Sequence, residues 1–394
     1  MNTTLPNMQV NNFDIVIQGG GPVALACAAW CLQKFPEAKL ALLDRNPIDD
    51  ADLVAADSRG VALSHGSKLL LDTINAWPTE CADIHQVHVS QAGRFGRALM
   101  TREELKQDAL GHIIRYRDIH LTLRKALRAI QKNSPHFVWE HLDSNTNVDT
   151  KEAQARCVVH AEGGLFKTQD WVESGRDYEQ SALVGLVEVE QVAPHQAWER
   201  FTSEGPLAVL PSHSGPHILN LIWCGSPASS KARLALSDAD FLKSLQAEFG
   251  SRVGQFLKIQ DRRLYELGLN YRKEITQGNE VWIGNAAQTL HPVAGQGLNL
   301  GLRDAYLLAE KLSALFSKPE DQKTPKAIEA TLQEYAQSRK LDRSATIGLT
   351  DFMARIFTSN LLPIVIGRGL ALSALQWLPS VKIALARQMM FGRR

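Results

Sequence analysis

The chain has 394 residues, with 43 Lys plus Arg against 42 Asp plus Glu and a formal net charge of +1. At 44% hydrophobic and 22% charged residues it has ordinary globular usage, and its length suits two to three domains of roughly 150 residues each. That excludes wholesale disorder, collagen-like repeats and a polybasic nucleic-acid arm, so no nucleic-acid partner is expected. The five cysteines, Cys27, Cys31, Cys81, Cys157 and Cys224, form no C-x-x-C pair. This argues against structural zinc or a disulfide framework and fits a reducing compartment. Met1–Asn12 lacks the basic and apolar regions of a secretory signal, and no apolar run reaches the ~18 to 20 residues of a spanning helix. The expectation is a cytoplasmic protein, peripheral to the inner face of a membrane at most.

Phe13–Ile17 is a short apolar run and reads as a buried parallel strand. Gly19, Gly20 and Gly21, then Pro22 and small residues to Ala29, predict a turn opening into a helix. A second strand, Leu40–Leu43, ends at Asp44 and completes a β-α-β unit. Lys68–Asn75 and Asp118–Lys132 read as helices, the second with Ile119, Leu123, Ala126 and Leu127 on one face. Ile84–Val89 alternates like a strand. Ala182–Val189, Leu207–Leu210 and Ile218–Trp223 read as sheet, with a helix at Asp238–Phe249. Val281–Ile283 is a further strand, and a long amphipathic helix starts at Leu298. The fold class is therefore mixed α/β, a Rossmann-like domain with an inserted β-sheet domain and a C-terminal helical segment. The corresponding boundaries are 10–75, 98–176 and 270–350 for the discontinuous nucleotide domain. The sheet domain takes 76–97 and 177–269, and the C-terminal helices take 351–394.

Gly19-x-Gly21-x-x-Ala24 sits between that first strand and helix, where a dinucleotide site requires it. Gly19 permits the tight turn, Gly21 lets main chain approach a pyrophosphate, and Ala24 keeps the helix close to the strand. The helix N-terminus offers free N–H groups to phosphate, and Asp44 is placed to accept from ribose hydroxyls. This fingerprint does not separate NAD from FAD. A second stretch, Trp282 to Asp304, runs strand, loop, helix. Gly295 and Gly297 allow its main chain to lie against a flat ligand, and the following helix points its N-terminus back at it.

This second stretch resembles the second FAD motif of single-component aromatic hydroxylases with the p-hydroxybenzoate hydroxylase fold. Gly284-Asn285-Ala286-Ala287-Gln288-Thr289-Leu290-His291-Pro292 is similar to one branch, the 2-polyprenyl-6-methoxyphenol hydroxylases of ubiquinone biosynthesis. Asp57-Ser58-Arg59, Ala62–Ser67, Val87–Ser90, Gly205–Pro211 and Arg343–Asp351 fit the same branch. The resemblance implies that Gly19, Gly21, Ala24, Asp44 and Arg59 hold the AMP half and pyrophosphate of FAD. It implies that Asn285 meets the ribityl or pyrophosphate region, that Gly295, Gln296, Gly297, Leu298 and Asn299 line the isoalloxazine, and that Glu162 and Pro292 also bind the cofactor. The family's Asp-Gly motif is degenerate here, with Glu162 in place of Asp ahead of Gly163. The implied reaction uses NAD(P)H as a transient reductant and O2, by way of a flavin C4a-hydroperoxide, to hydroxylate a lipophilic phenol or quinone precursor. Related readings are a hydroxylase acting at another ring position, or a flavin-binding accessory subunit of a ubiquinone biosynthesis complex. A plain NAD-dependent dehydrogenase is a further reading.

Other residues have plainer expectations. Cys27 and Cys31 read as helix packing, and His85 with His88 as strand residues facing opposite sides rather than a metal pair. No metal and no essential acid or base side chain is assigned. His291 reads as a loop hydrogen-bonding residue, and Arg303 and Asp304 as surface or capping charge. Residues 352–394 lack acidic residues and carry six basic ones among many apolar ones. That composition suits an anionic membrane surface, helices docked on the flavin domain, or a homo-oligomer interface.

Overall fold

The computed structural model describes residues 13–45, 59–142, 155–164, 174–358 and 362–393. Met1–Asn12, the Asp57-Ser58 of the Asp57-Ser58-Arg59 stretch, Leu361 and Arg394 lie outside the described residues. The chain opens with β1 (Ile15–Gln18), α1 (Pro22–Lys34) and β2 (Leu40–Asp44), a parallel β-α-β unit with Ile15 beside Leu40. Next come β3 (Gly60–Ser64), α2 (His65–Asp72), β4 (Ala82–Ile84), β5 (Gln86–Gln91), β6 (Arg97–Thr101) and α3 (Arg102–Leu105). They are followed by β7 (Gly111–Arg115), α4 (Tyr116–Gln131), β8 (Phe137–His141) and β9 (Cys157–His160). The middle of the chain supplies β10 (Ser174–Val189), β11 (Gln196–Phe201), β12 (Pro206–Pro211), β13 (Ile218–Gly225), α5 (Pro227–Ala235), α6 (Asp238–Phe249) and β14 (Phe256–Tyr271). Short strands β15 (Thr276–Gln277), β16 (Glu280–Trp282) and β17 (Gln288–Thr289) lead into α7 (Gln296–Phe316) and α8 (Pro325–Thr358). The last helices are α9 (Leu362–Trp377) and α10 (Pro379–Phe391).

Three sheets result. A six-stranded sheet runs β15-β16-β9-β1-β2-β8 and is parallel except at its β15 edge. Its central strands are buried, as their unbroken apolar runs require. An eight-stranded sheet runs β17-β14-β10-β13-β12-β11-β5-β6, antiparallel except between β11 and β5. A three-stranded sheet, β3-β7-β4, lies between them in the chain. The main core packs α1, α4 and α7 against the parallel sheet through Leu25, Trp30, Leu123, Leu302 and Leu308. Trp30 meets Tyr306 edge-on at 5.2 Å and donates from Nε1 to Thr73 Oγ1. Cys27 and Cys31 are buried free thiols in this core.

The helix at Asp238–Phe249 has the bounds that the sequence predicts, and α7 begins two residues earlier than expected, at Gln296. Two long elements have no counterpart in the sequence reading. The first half of β14 carries Lys258, Asp261, Arg262 and Arg263, which mask its alternation. In α8, charge-rich turns hide the apolar spacing of the buried Ile328, Leu332 and Tyr335. A boundary at 97/98 also needs correction. β6 pairs with β5 along Val89 and Ala98, so it belongs to the eight-stranded sheet and not with the segment that follows it. His85 stacks on His195 and His88 on Trp198, so the two histidines have separate partners.

The C-terminal helices dock on the body of the protein. Leu372 of α9 is buried with Ala98, Phe201 and Val293, and Ala386 and Met390 of α10 are buried with Leu105. Two of the tail's basic residues turn inward. Arg368 donates to Gln91 and to the Ile356 carbonyl, and Lys382 donates to the Leu99 carbonyl and Glu104. Among the described residues, the outward-facing basic residues of the tail are Arg355, Arg387 and Arg393.

Candidate cofactor and substrate cavity

A single cavity of about 1260 Å³ runs between the parallel sheet, the three-stranded sheet, one face of the eight-stranded sheet and the tail helices. One end is built from main chain. Gly19 to Val23, Arg45 and Ala161 to Gly164 line it. Gly19 has φ +126°, and a Cβ there would lie 2.9 Å from the Ala161 carbonyl, so only glycine fits this approach of two loops. α1 starts at Pro22 behind Gly21, with no side-chain cap and no acidic residue in its first turn. Its first N–H groups and positive dipole end therefore face the cavity, and among the described residues no side chain caps them.

Of the residues singled out from sequence, Gly19, Gly21, Arg59, Glu162, Asn285, Pro292, Gly295, Gln296, Gly297, Leu298 and Asn299 all line this cavity. Ala24 and Asp44 do not. Ala24 is wholly buried between helix and sheet. Asp44 is also wholly buried, and its Oδ2 accepts from Arg124 Nη1 and Trp139 Nε1, each at 3.3 Å. The next residue, Arg45, points the other way onto the wall and pairs with Glu162 at 2.7 Å. Arg59 is held between the rings of Tyr116 and Tyr265, 4.9 and 5.0 Å from their centroids.

The middle of the cavity is formed by the loop before α7. Gly295, at φ +60°, caps α7 without a side-chain hydrogen bond, and no acidic residue follows in the first turn. A second uncapped helix start thus opens on the same cavity. A Cβ on Gly297 would meet nothing within 4 Å, so main chain here borders open space. Asn299 fixes the loop with four bonds. Its Oδ1 accepts from Ser64 N and Ser67 Oγ, and its Nδ2 donates to the Ala62 and Gly295 carbonyls. His291 lies behind the wall, buried. Its Nδ1 accepts from Val293 N, which leaves the proton on Nε2 to donate to Gln180 Oε1 at 3.0 Å. Burial pushes its pKa down to about 4, so the ring is a neutral strut for the loop.

Arg303 and Asp304 are not surface charge. Asp304 accepts from Gln288 Nε2 and Arg339 Nε, both at 2.7 Å, while Arg343 Nε donates to Gln288 Oε1. Asp342 accepts from Arg303 and Arg339 and from the main-chain N–H of Arg393. Burial opposes ionisation of Asp342, but the two guanidiniums outweigh it and hold its carboxyl below the usual range. This buried cluster joins the loop at Gln288, the two long helices and the end of the tail. The signal that could have found it is Arg339, Asp342 and Arg343, which share one face of α8.

The far end is apolar. Cross-strand register aligns Ala98, Val89, Glu199, Ala208, Ile222, Val184 and Arg263 in one row across seven strands, and every one lines the cavity. Leu372, Leu375, Ala386 and Met390 of the tail helices form the opposite wall. Two open helix starts, a glycine-built cradle and an adjoining apolar chamber fit a large, flat, phosphate-bearing ligand with an apolar co-ligand beside it.

Residues 141–342 match the family described as FAD binding domain. The chain is 30% identical over 395 residues to the ubiquinone hydroxylase UbiL of Rhodospirillum rubrum, covering 96% of this chain and 89% of that one. It is 26% identical over 378 residues to the 3-demethoxyubiquinol 3-hydroxylase of Escherichia coli, covering 92% and 94%. The solved p-nitrophenol 4-monooxygenase PnpA of Pseudomonas putida shares the fold, with a TM-score of 0.68 at 15% identity over 98% of this chain and 100% of that one. Family match and fold together define an FAD-binding protein with the fold of the solved monooxygenase. The chain belongs to the FAD-binding-domain family and to the family of the Rhodospirillum ubiquinone hydroxylase.

Proposed function

We propose that this protein is an FAD-dependent monooxygenase that hydroxylates a polyprenylated methoxyphenol in ubiquinone biosynthesis, with NAD(P)H as transient reductant and O2 as co-substrate. The observation that carries the reading is one cavity with two chemistries, a main-chain cradle with the open start of α1 at one end and an apolar chamber at the other, and the open start of α7 between them. FAD, when bound, supplies the redox chemistry and oxygen transfer. The chain supplies the rest. Gly19, Gly21 and the start of α1 receive the pyrophosphate, and Arg59 and Asn285 adjoin it. Arg45, held by Glu162, takes the wall position expected of Asp44, while Asp44 and Ala24 act from behind by fixing β2 and α1. Pro292, Gly295, Gln296, Gly297 and Leu298 receive the ring system, and Asn299 sets their main chain. The start of α7 favours negative charge on the ring, and the chamber excludes water from it.

The tail adds a lipid-facing side. Among the described residues no single helix is long and apolar enough to cross a membrane. The outer side of α9 and α10 exposes Leu370, Trp377 and Val381, with Leu378 between the helices also exposed and Trp377 83% exposed, while the inner side walls the chamber. In this reading the outer side rests on the bilayer and the substrate enters from it. The test uses full-length protein, NADPH and anionic liposomes carrying a polyprenyl-2-methoxyphenol. Expected are absorbance above 400 nm, one added oxygen atom in the phenol by mass spectrometry, and co-flotation that the pair Leu370→Ser and Trp377→Ser weakens about tenfold. Flavin reduction with no oxygenated phenol would overturn the hydroxylase reading, and unchanged flotation of the pair would remove the lipid-facing role.

A further inference from the structure

The chamber's wall has one side chain out of keeping with it. Glu199 lies at the centre of the seven-strand row, between Val89 of β5 and Ala208 of β12. Residues alternate along β11 as a strand demands. Ala197 packs with Ala62, Val87 and Leu210, and Phe201 packs with Ala98, Val293 and Leu372. Glu199 lies between them on the same face. Trp198 and Arg200 take the other face, where Trp198 stacks on His88 and Arg200 donates to the Glu248 carbonyl. Val293 belongs to the loop before α7, so this face of β11 adjoins the loop that receives the ring system.

Among the described residues no salt bridge or hydrogen bond engages the Glu199 carboxylate. The half-buried side chain has its exposure to the cavity. Neighbouring elements bring few charges to it. β5 presents Val87 and Val89 to this face, β6 presents Ala98 and Met100, and β12 has no titratable residue. On β13 the Cys224 thiol is pushed up by burial, and by Glu199 itself. Arg263 of β14 is four strands away along the row. From the tail, Arg368 is held by Gln91 and the Ile356 carbonyl, and Lys382 by Glu104 and the Leu99 carbonyl. Burial alone therefore raises the Glu199 carboxyl, to about 7, which puts both of its protonation states within reach at neutral pH. A carboxylate without a counter-ion in an apolar chamber is costly unless a ligand donates to it.

We propose that Glu199 is the catalytic group that receives the phenol, its carboxylate accepting the hydroxyl hydrogen bond, orienting the ring towards the loop before α7 and taking the hydroxyl proton. The phenol O–H bond breaks and a carboxyl O–H bond forms. The electron pair stays on the ring oxygen, where it raises electron density at the carbon to be oxygenated, and charge is conserved. The assignment rests on the phenol-hydroxylase reading above and adds to it the residue that selects a hydroxylated ring over a plain hydrocarbon.

The test titrates FAD-loaded, full-length protein with 2-methoxyphenol, read by the perturbation of the flavin spectrum, between pH 5.5 and 8.5. The probe stays neutral over this range, so a pH effect reports the protein. Expected is a Kd that tightens about tenfold as pH rises through about 7. In Glu199→Gln, which keeps size and burial, flavin content is unchanged, Kd is flat with pH, and kcat for the polyprenylated phenol falls about a hundredfold. Glu199→Asp restores the pH dependence and part of kcat. A Gln variant that keeps the wild-type pH dependence and kcat would overturn the assignment while leaving the hydroxylase reading intact. Wild-type protein whose flavin spectrum responds to no phenol would overturn both.

Discussion

The two ends of the cavity are made of different material. At the nucleotide end the wall is mostly main chain, with Gly19 to Gly21, Ala161 to Gly164 and the start of α1, joined by the side chains of Arg45, Arg59 and Glu162. At the chamber end the wall is side chain, drawn from seven strands of one sheet and from two tail helices. A main-chain wall fixes dipoles and N–H donors where a phosphate or a flat ring must sit, and it tolerates no added atom. A side-chain wall sets volume and polarity and can change one residue at a time. The same fold can therefore keep one cofactor and vary its second ligand.

The sharpest way to break this comparison is to add a side chain at the main-chain end. Gly19→Val combines φ +126° with a Cβ 2.9 Å from the Ala161 carbonyl. The strain is about 3 kcal/mol or more, which must move the turn away from the cavity. We expect at least about a hundredfold loss of FAD affinity, read as the ratio of flavin to protein absorbance and by fluorescence titration. Purified Gly19→Val protein as yellow as the parent would show that this end is not built as described.

The difference in material also explains what could be read from the sequence. A main-chain wall needs glycines at fixed spacing beside a strand and a helix start, so Gly19, Gly21, Gly295 and Gly297 stand out in one short stretch each. Asp44 shows the limit of such spacing. The acid does end β2, but strand alternation turns it inward to Arg124 and leaves Arg45 on the wall. The clue was present, because Arg124 sits among Ile119, Leu123 and Leu127 on the apolar face of α4, and a buried arginine requires a buried carboxylate. The chamber left no such trace. Glu199, Ala208, Ile222 and Val184 become neighbours only through the register of β10 to β13, which depends on the whole sheet. The tail's composition admits docking, a lipid surface and a homo-oligomer interface. The buried Arg368 and Lys382 show that its inner side docks, which confines the proposed lipid contact, or a contact between copies, to the outer side.

A middle-sized effect is expected at the joint between the two ends, where His291 braces the loop before α7. Its folded pKa of about 4 lies below the ordinary 6.5, so the unfolded chain binds the extra proton first. Stability is complete above pH 6.5 and falls as pH drops towards 4, by up to about 3 kcal/mol in all. Thermal unfolding across that window should show this loss in the parent and a shallower pH slope in His291→Gln. Equal slopes would mean that the neutral strut is not what holds the loop, and that the two ends are joined elsewhere, with the Asp304–Arg339 cluster as the remaining brace.

The smallest effect is expected at an apolar position of the chamber wall. Ile222 faces the cavity between Ala208 and Val184, and trimming it to alanine removes three carbons from a wall that is already partly open. Only part of the usual 0.8 kcal/mol per buried carbon is at stake, so about 1 kcal/mol of substrate contact should be lost, roughly fivefold in KM. Flavin content should not change, and kcat should stay within about twofold, since the cradle, the helix starts and Glu199 are untouched. The informative comparison is with Gly19→Val. If the two ends are separate materials, one substitution abolishes cofactor retention and the other leaves it intact while loosening the grip on the phenol. A loss of flavin from Ile222→Ala would mean that the sheet face presses on the cofactor itself, and the chamber would then have to be smaller than the register of its strands implies.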